Sequence, residues 1–311
     1  MRHSDWLINI WIIKEFENEF FSTVFTKTVP GHMEFPCDVI QPDLLPQIST
    51  SRNQVKDILT KLDSTKSTGV DGISPRVLKE CAGKLSYPLT LLFNLSFQIW
   101  KVPASWKRAN FSPVFKSDAK EKVENYRPIS LLNIPAKCQE RIVHNAIYSH
   151  VAPYLTKWQH VFLRGRSCTT QLVLSHHQWS KALDEGRQVD VIFLDFAKAF
   201  DREAHDVLLQ KLCNFGISGV FWTGAKITSP TENRESWLTE LSEFLLVLYP
   251  VRCTSGLNSW PLVFCSFYQW PGLPEVVTPG NTVSLYADDC KTSRVINCPI
   301  DHSRSISVWY W

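Results

Sequence analysis

The chain has 311 residues, 44% of them hydrophobic and 20% charged, with a formal net charge of +3. That composition excludes a disordered tail, a collagen-like fibre and a small disulfide scaffold. A chain of this length can bury about three quarters of its unfolded surface, enough for one large core or two modest ones.

The near-neutral total hides an uneven spread. Residues 1–100 hold 10 basic and 11 acidic side chains, residues 101–170 hold 12 and 4, and residues 171–311 hold 11 and 15. A basic block beside an acidic one suits a polyanion and a metal in neighbouring places. The alternative is a solvated basic face, the better reading for Lys122, Lys137 and Arg141 individually. Nine cysteines with no C-x-x-C pair read as free thiols in a reducing compartment. The apolar run Trp6–Ile13 is too short to span a bilayer and is cut by Asn9. The expectation is an intracellular protein with no membrane partner.

In chain order, residues 14–28 place Phe16, Phe20 and Val24 on one helical stripe, and 29–50 read as a connector. Ser51–Asp63 is an amphipathic helix capped by Ser51 or Asn53, with Val55, Ile58, Leu59 and Leu62 apolar. A glycine-bearing loop, KSTGVDG (66–72), follows. Arg76–Ile99 reads as mostly helical, with Pro88 starting or kinking a segment. Ala109–Leu132 reads as a β-hairpin whose charged connection is Ser117–Glu124. Ala136–His150 and Thr169–Glu185 are helical, the latter stopping at Gly186. Val189–Phe196 is an apolar run that reads as a buried strand, and Asp206–Phe215 as a helix ending at Gly216. Periodicity fades over 219–271. It returns at Asn281–Ile296 as two short strands joined at a tight Asp288-Asp289 corner.

The acidic residues carry the chemistry. Asp195 ends an apolar strand, where an unpaired carboxylate is costly to bury unless it is paired or bound to a metal. Read singly, Asp195 is a cap or turn former, and Asp288-Asp289 is a solvated turn. If the strands are neighbours in one sheet, three carboxylates converge, and divalent cations must neutralise their repulsion. Oxygen ligands without His or Cys point to Mg²⁺. Two such ions about 3.5–4 Å apart form a phosphoryl-transfer clamp. His176-His177 lie at adjacent positions of a helix and read as surface residues rather than a metal pair. Asp201 and His205 read as a local pair on the helix after Asp195.

The strings FLDFAKAFDR (193–202) and SLYADDCKTSR (284–294) resemble the catalytic core of reverse transcriptases, specifically those of non-LTR (LINE-type) retrotransposons. Blocks KSTGVDGIS (66–74), SPVFKSDAKEKVENYRPISLL (112–132) and WQHVFLRGRSCTTQL (158–172) support it in the same order. The similarity covers about residues 14–218 and 272–302. It implies an α+β fold of right-hand polymerase type, with a mostly antiparallel palm sheet flanked by helices. An N-terminal helix and connector would occupy 1–50. Fingers with part of the palm would occupy 51–188, the palm with the catalytic aspartates 189–302, and a truncated tail 303–311, with no thumb.

The implied activity is RNA-directed DNA synthesis: nucleotidyl transfer from a dNTP to a primer 3′-OH, using two Mg²⁺, with template RNA and a DNA primer as partners. Asp195 and Asp288 would ligate both ions, with Asp289 as the adjacent acid and the Phe196 carbonyl on the nucleotide-side ion. Phe200, five residues past Asp195, matches the aromatic gate that excludes a ribose 2′-OH. Tyr286 would lie beneath the primer end. Lys116 and Arg127 match the cations that hold the incoming triphosphate, a task suited to the guanidinium fork.

The family pattern breaks between the two aspartate motifs. After Thr254-Ser255-Gly256 the expected Pro-Gln-Gly-Ser is absent, and the match resumes at Leu-Pro-Glu-Val-Val (273–277). FYQWP (267–271) can be encoded so that reading one base later gives Phe-Ile-Asn-Gly, a family-like string. ESWLTEL (235–241) can be the shifted frame of Arg-Val-Val-Val-Asp-Gly-Val. Frameshifts across roughly 219–271 are therefore expected, and with them a surplus of tryptophan. Two other readings of the chain are a catalytically inactive relic that binds RNA weakly and a metal-dependent nuclease or phosphotransferase.

Overall fold

The computed structural model describes residues 44–119, 122, 125–155, 158–161, 163–194, 212, 214–217, 281–286 and 289–297. The expected helix over 14–28, the stretch 219–271 where frameshifts are expected, the Asp201–His205 pair and the tail lie outside the described residues. The chain divides into two compact units, residues 1–147 with 200–260 and residues 148–199 with 261–311.

In the first unit, α1 (Arg52–Thr60) begins at Ser51 rather than Asn53. The Ser51 hydroxyl accepts from the Gln54 N–H at 3.3 Å, and the Gln54 side chain accepts from the Ser51 N–H at 2.8 Å. This reciprocal box satisfies two of the donors that a helix start leaves open. Val55 and Leu59, one turn apart, are completely buried. α2 (Pro75–Glu80) starts on Ser74 with proline in its first turn, where no N–H is needed. α3 (Ala82–Ile99) follows at once.

The expected interruption at Pro88 is corrected: the break falls at Cys81, and α3 runs through Pro88. Proline removes one N–H from the helix ladder and orphans the carbonyl of Lys84. Both residues are exposed, so water can satisfy that carbonyl and the helix continues.

The inner face of α3 supplies Phe93 and Phe97, both fully buried. Trp106, in the short 3₁₀ turn Ala104–Lys107, meets the Phe93 ring edge-to-face at 6.0 Å. Polar clips tie α1 to α3. Asn94 accepts from the Thr50 N–H at 2.8 Å and donates to the Thr50 carbonyl at 2.9 Å, and the Arg52 guanidinium donates to the Gly83 carbonyl at 3.0 Å.

β1 (Ala109–Phe115) and β2 (Tyr126–Leu132) form the expected antiparallel hairpin. Its register sets Pro113 opposite Pro128. The Lys116 N–H donates to the Asn125 carbonyl at 2.8 Å, which fixes the alternation of bonded and non-bonded pairs. Pro113 and Pro128 then fall at a non-bonded pair, where neither lacks a needed donor.

A residue the sequence reading passed over, Asn133, joins this hairpin to its surroundings. Its Oδ1 accepts from the Asp71 N–H at 3.2 Å and its Nδ2 donates to the Ser105 carbonyl at 3.1 Å. Gly69 lies so close to the Asn133 backbone that a Cβ there would collide with it. α4 (Ile134–Val151) leaves directly from this junction. At the far end of the unit, Gly216 has φ +74° where the reading stops a helix, and the Leu45 N–H donates to its carbonyl at 2.9 Å.

In the second unit, α5 (Cys168–Asp184) opens on a second reciprocal box between Ser167 and Thr170. It closes at Gly186, with φ +68°, where the Gly186 and Arg187 N–H groups return to the Leu183 and Ala182 carbonyls at 2.9 Å. β3 (Gln188–Leu194), β4 (Asn281–Tyr286) and β5 (Asp289–Ile296) form an antiparallel sheet in the order β3-β5-β4.

The expectation of a buried β3 is corrected. β3 is an outer strand, and Phe193 is 72% exposed. The buried positions of the sheet lie on β4, at Val283, Ser284 and Leu285, and on β5, at Thr292, Ser293 and Arg294. Cys81, Cys138, Cys168 and Cys290 are free, as read. No helix among the described residues is long and apolar enough to cross a membrane.

Candidate active site at the strand ends

The register of the second unit brings two distant stretches of sequence to one end of the sheet. Leu194, the last residue of β3, pairs with Cys290, and Tyr286 pairs with Asp289 across the turn between β4 and β5. Asp195 follows Leu194 directly, and Asp288 precedes Asp289. Asp195, Phe196, Phe200 and Asp288 themselves lie outside the described residues, and Asp289 is described in its backbone alone. Tyr286 is half-buried at the end of β4. Among the described residues, no group of three potential metal ligands is assembled.

Two contacts hold this end of the sheet. On the outer side of β4, residues 158–160 add a short parallel bridge through Gln159. The Leu285 N–H donates to the Trp158 carbonyl and the His160 N–H to the Leu285 carbonyl, both at 3.0 Å. Trp158 and Cys290 pack on the core pair Val283 and Leu285. The Gln159 side-chain oxygen accepts from the His160 and Val161 N–H groups, and the Arg166 guanidinium donates to the Gln159 carbonyl at 2.6 Å. On the β5 side, the Lys291 ammonium donates to Ser175 Oγ at 2.7 Å.

The electrostatics follow from burial. The Cys290 thiol is pushed up to about 11 by desolvation, so it stays protonated near neutrality. His160 shares its Nδ1 with the Thr170 hydroxyl at 3.0 Å. Burial first, then the Arg166 and Lys291 charges, hold its pKa below the ordinary histidine value.

In the first unit, Lys116 is exposed just past β1, and Arg127 lies in β2 opposite Val114. The hairpin thus carries both cations near its tip, two register positions apart. Of the positions read as solvated, Lys122 and Arg141 are exposed. Lys137 departs from that reading: it is half-buried, and desolvation lowers its pKa. His176 and His177 are both exposed, in line with their reading as surface residues.

The family pattern described as reverse transcriptase (RNA-dependent DNA polymerase) matches residues 116–293, more than half of the chain. The chain belongs to that family. Several of its relatives are named as RNA-directed DNA polymerases of non-LTR retrotransposons. It is 30% identical over 252 residues to a probable RNA-directed DNA polymerase from transposon X-element of Drosophila melanogaster, covering 78% of this chain and 27% of that protein. It is 28% identical over 162 residues to a probable RNA-directed DNA polymerase from transposon BS of the same fly, covering 51% of this chain and 18% of the other. A third, the RNA-directed DNA polymerase from mobile element jockey, is 28% identical over 170 residues, covering 54% and 19%. The chain thus spans about a fifth to a quarter of the length of these relatives.

Proposed function

We propose that this chain carries the nucleotidyl-transfer site of an RNA-directed DNA polymerase, with the three-stranded sheet as palm and the β1–β2 hairpin as fingers. The supporting observation is the pairing of Leu194 with Cys290. Consecutive Cα atoms are about 3.8 Å apart, so Asp195 begins one step beyond that pair, and Asp289 adjoins it on the other strand. Asp195 and Asp288 would hold two Mg²⁺, with Asp289 beside them and the Phe196 carbonyl on the nucleotide side. Bound there, the ions would supply charge neutralisation for the attacking primer oxygen and the leaving pyrophosphate.

The chain's own residues do the positioning. Lys116 and Arg127 bind the triphosphate oxygens, Arg127 through its fork. Phe200 closes the space beside the sugar against a 2′-hydroxyl, and Tyr286 supports the primer end. Template RNA, a DNA primer and dNTPs are the corresponding partners, and the basic stretch 101–170 suits the template backbone.

Primer extension on poly(rA)/oligo(dT) with Mg²⁺ tests this, with Asp195→Ala as control. Extension that falls by roughly a hundred- to a thousand-fold in the variant supports the polymerase. Strand shortening would indicate a nuclease, and a salt-sensitive gel shift without synthesis would indicate a non-catalytic binder.

A further inference from the structure

Lys291 sits two residues after Asp289 and is not accounted for by the roles above. Its position on β5 pairs with Phe193 on one side and Ser284 on the other, so it occupies the middle of the sheet. Its ammonium donates to Ser175 Oγ at 2.7 Å and stands 4.9 Å from the centre of the Trp179 ring. Ser175 and Trp179 are one helical turn apart on α5, and Ser175 is buried. A lysine held this way gives up hydration for one neutral acceptor and an aromatic face. An apolar side chain could fill the same space at less cost, but it would not fix a direction or a distance.

We propose that Lys291 is a positioning residue that pins the first residues of β5 to α5 and thereby sets the pose of the aspartate-bearing turn. Two features make the lever short. Cys290, between Lys291 and Asp289, pairs with both Leu285 and Leu194, so movement of β5 passes to both neighbouring strands. β4 is already clamped on its outer side by the backbone bonds of Leu285 to residues 158 and 160. Without Lys291 the turn keeps the β3–β5 and β4–β5 pairing and the β4 clamp but loses this bond from β5 to α5. The inference rests on the polymerase reading for its catalytic consequence, but the anchoring itself does not.

Lys291→Met keeps the unbranched stem and removes the ammonium, Lys291→Arg restores a cation, and Ser175→Ala removes the acceptor. A misplaced turn lowers kcat in primer extension by roughly ten- to a hundred-fold for Lys291→Met, while KM for dTTP stays within about two-fold. Lys291→Arg recovers most of kcat, and Ser175→Ala falls between. Amide exchange in the full chain provides the second readout: the Leu285 and Cys290 amides exchange about ten-fold faster in Lys291→Met, with α1 unchanged. Unchanged exchange at these amides overturns the inference, whether or not the chain extends a primer. Unchanged kcat in an active chain whose Asp195→Ala control is dead also overturns it, and leaves the polymerase reading standing.

Discussion

In the first unit the β1–β2 hairpin closes across residues 116–125, whereas in the second unit β3 meets β5 only after residues 195–288 have intervened. The helices of the first unit likewise follow one another closely, and α1 and α3 are clipped together by bonds from Thr50 and Arg52. Local closure costs little chain entropy, while pairing strands across such a separation costs more and comes later in folding. In sequence, Asp195 directly follows β3 and Asp288 directly precedes β5, the two strands of that costly closure. A site at the seam of two distant segments is assembled only when the whole sheet is. The hairpin bearing Lys116 and Arg127 needs only its own turn and the Asn133 junction.

The comparison can be broken most forcefully at the sheet. Leu285 is buried between the Gln159 bridge and Cys290, and Leu285→Ala should cost about 2–5 kcal/mol. Urea unfolding checks the magnitude. A cost below about 1 kcal/mol would mean that the long-range sheet is not where the second unit stores its stability.

A smaller effect is expected in the first unit at Gly69, where a Cβ would strike the Asn133 backbone as well as its side-chain oxygen. Gly69→Ala should cost about 1–3 kcal/mol. The Asp71 amide, which donates to Asn133, should lose exchange protection.

The smallest effects distinguish the units by pH. In the second unit His160 has its pKa lowered, so the unfolded chain takes up a proton first as pH falls below about 6.5. Stability then declines toward acid and levels off below the folded pKa, by at most about 1.4 kcal/mol per pH unit. His160→Gln should flatten that limb. In the first unit the Cys138 thiol is pushed up to about 12 by burial, from 9.0. The unfolded thiol ionises first, so stability falls as pH rises from 9 toward 12, and Cys138→Ala should remove that loss. Thermal unfolding across pH reads both.

Much of this architecture could be read before the structure, because its signals are local. The Ser51 cap (one of the two candidates), the Gly186 stop, the hairpin arms and the two strands β4 and β5 each lie within a few residues of the groups that cause them. What was misread depends on context that no window contains. The apolar run of β3 does not tell which of its residues other elements will cover, and Phe193 is left exposed. Pro88 is tolerated because its turn faces solvent. Asn133 acts through backbone groups of other segments, and a polar side chain after an apolar strand gives no hint of such partners. Of the candidate site, the resemblance of 193–202 and 284–294 to reverse transcriptases implied one shared sheet, and the family match at 116–293 spans both strings up to Ser293.

The central claim is that Asp195 and Asp288, so far apart in the chain, share one metal site. Fe²⁺ can substitute for Mg²⁺ at oxygen ligands, and with ascorbate and peroxide it cuts the backbone beside wherever it binds. The account predicts paired cleavage within a few residues of both 195 and 288, suppressed together by excess Mg²⁺ and lost together in Asp195→Ala. Cleavage near only one of the two, or near neither, would contradict it.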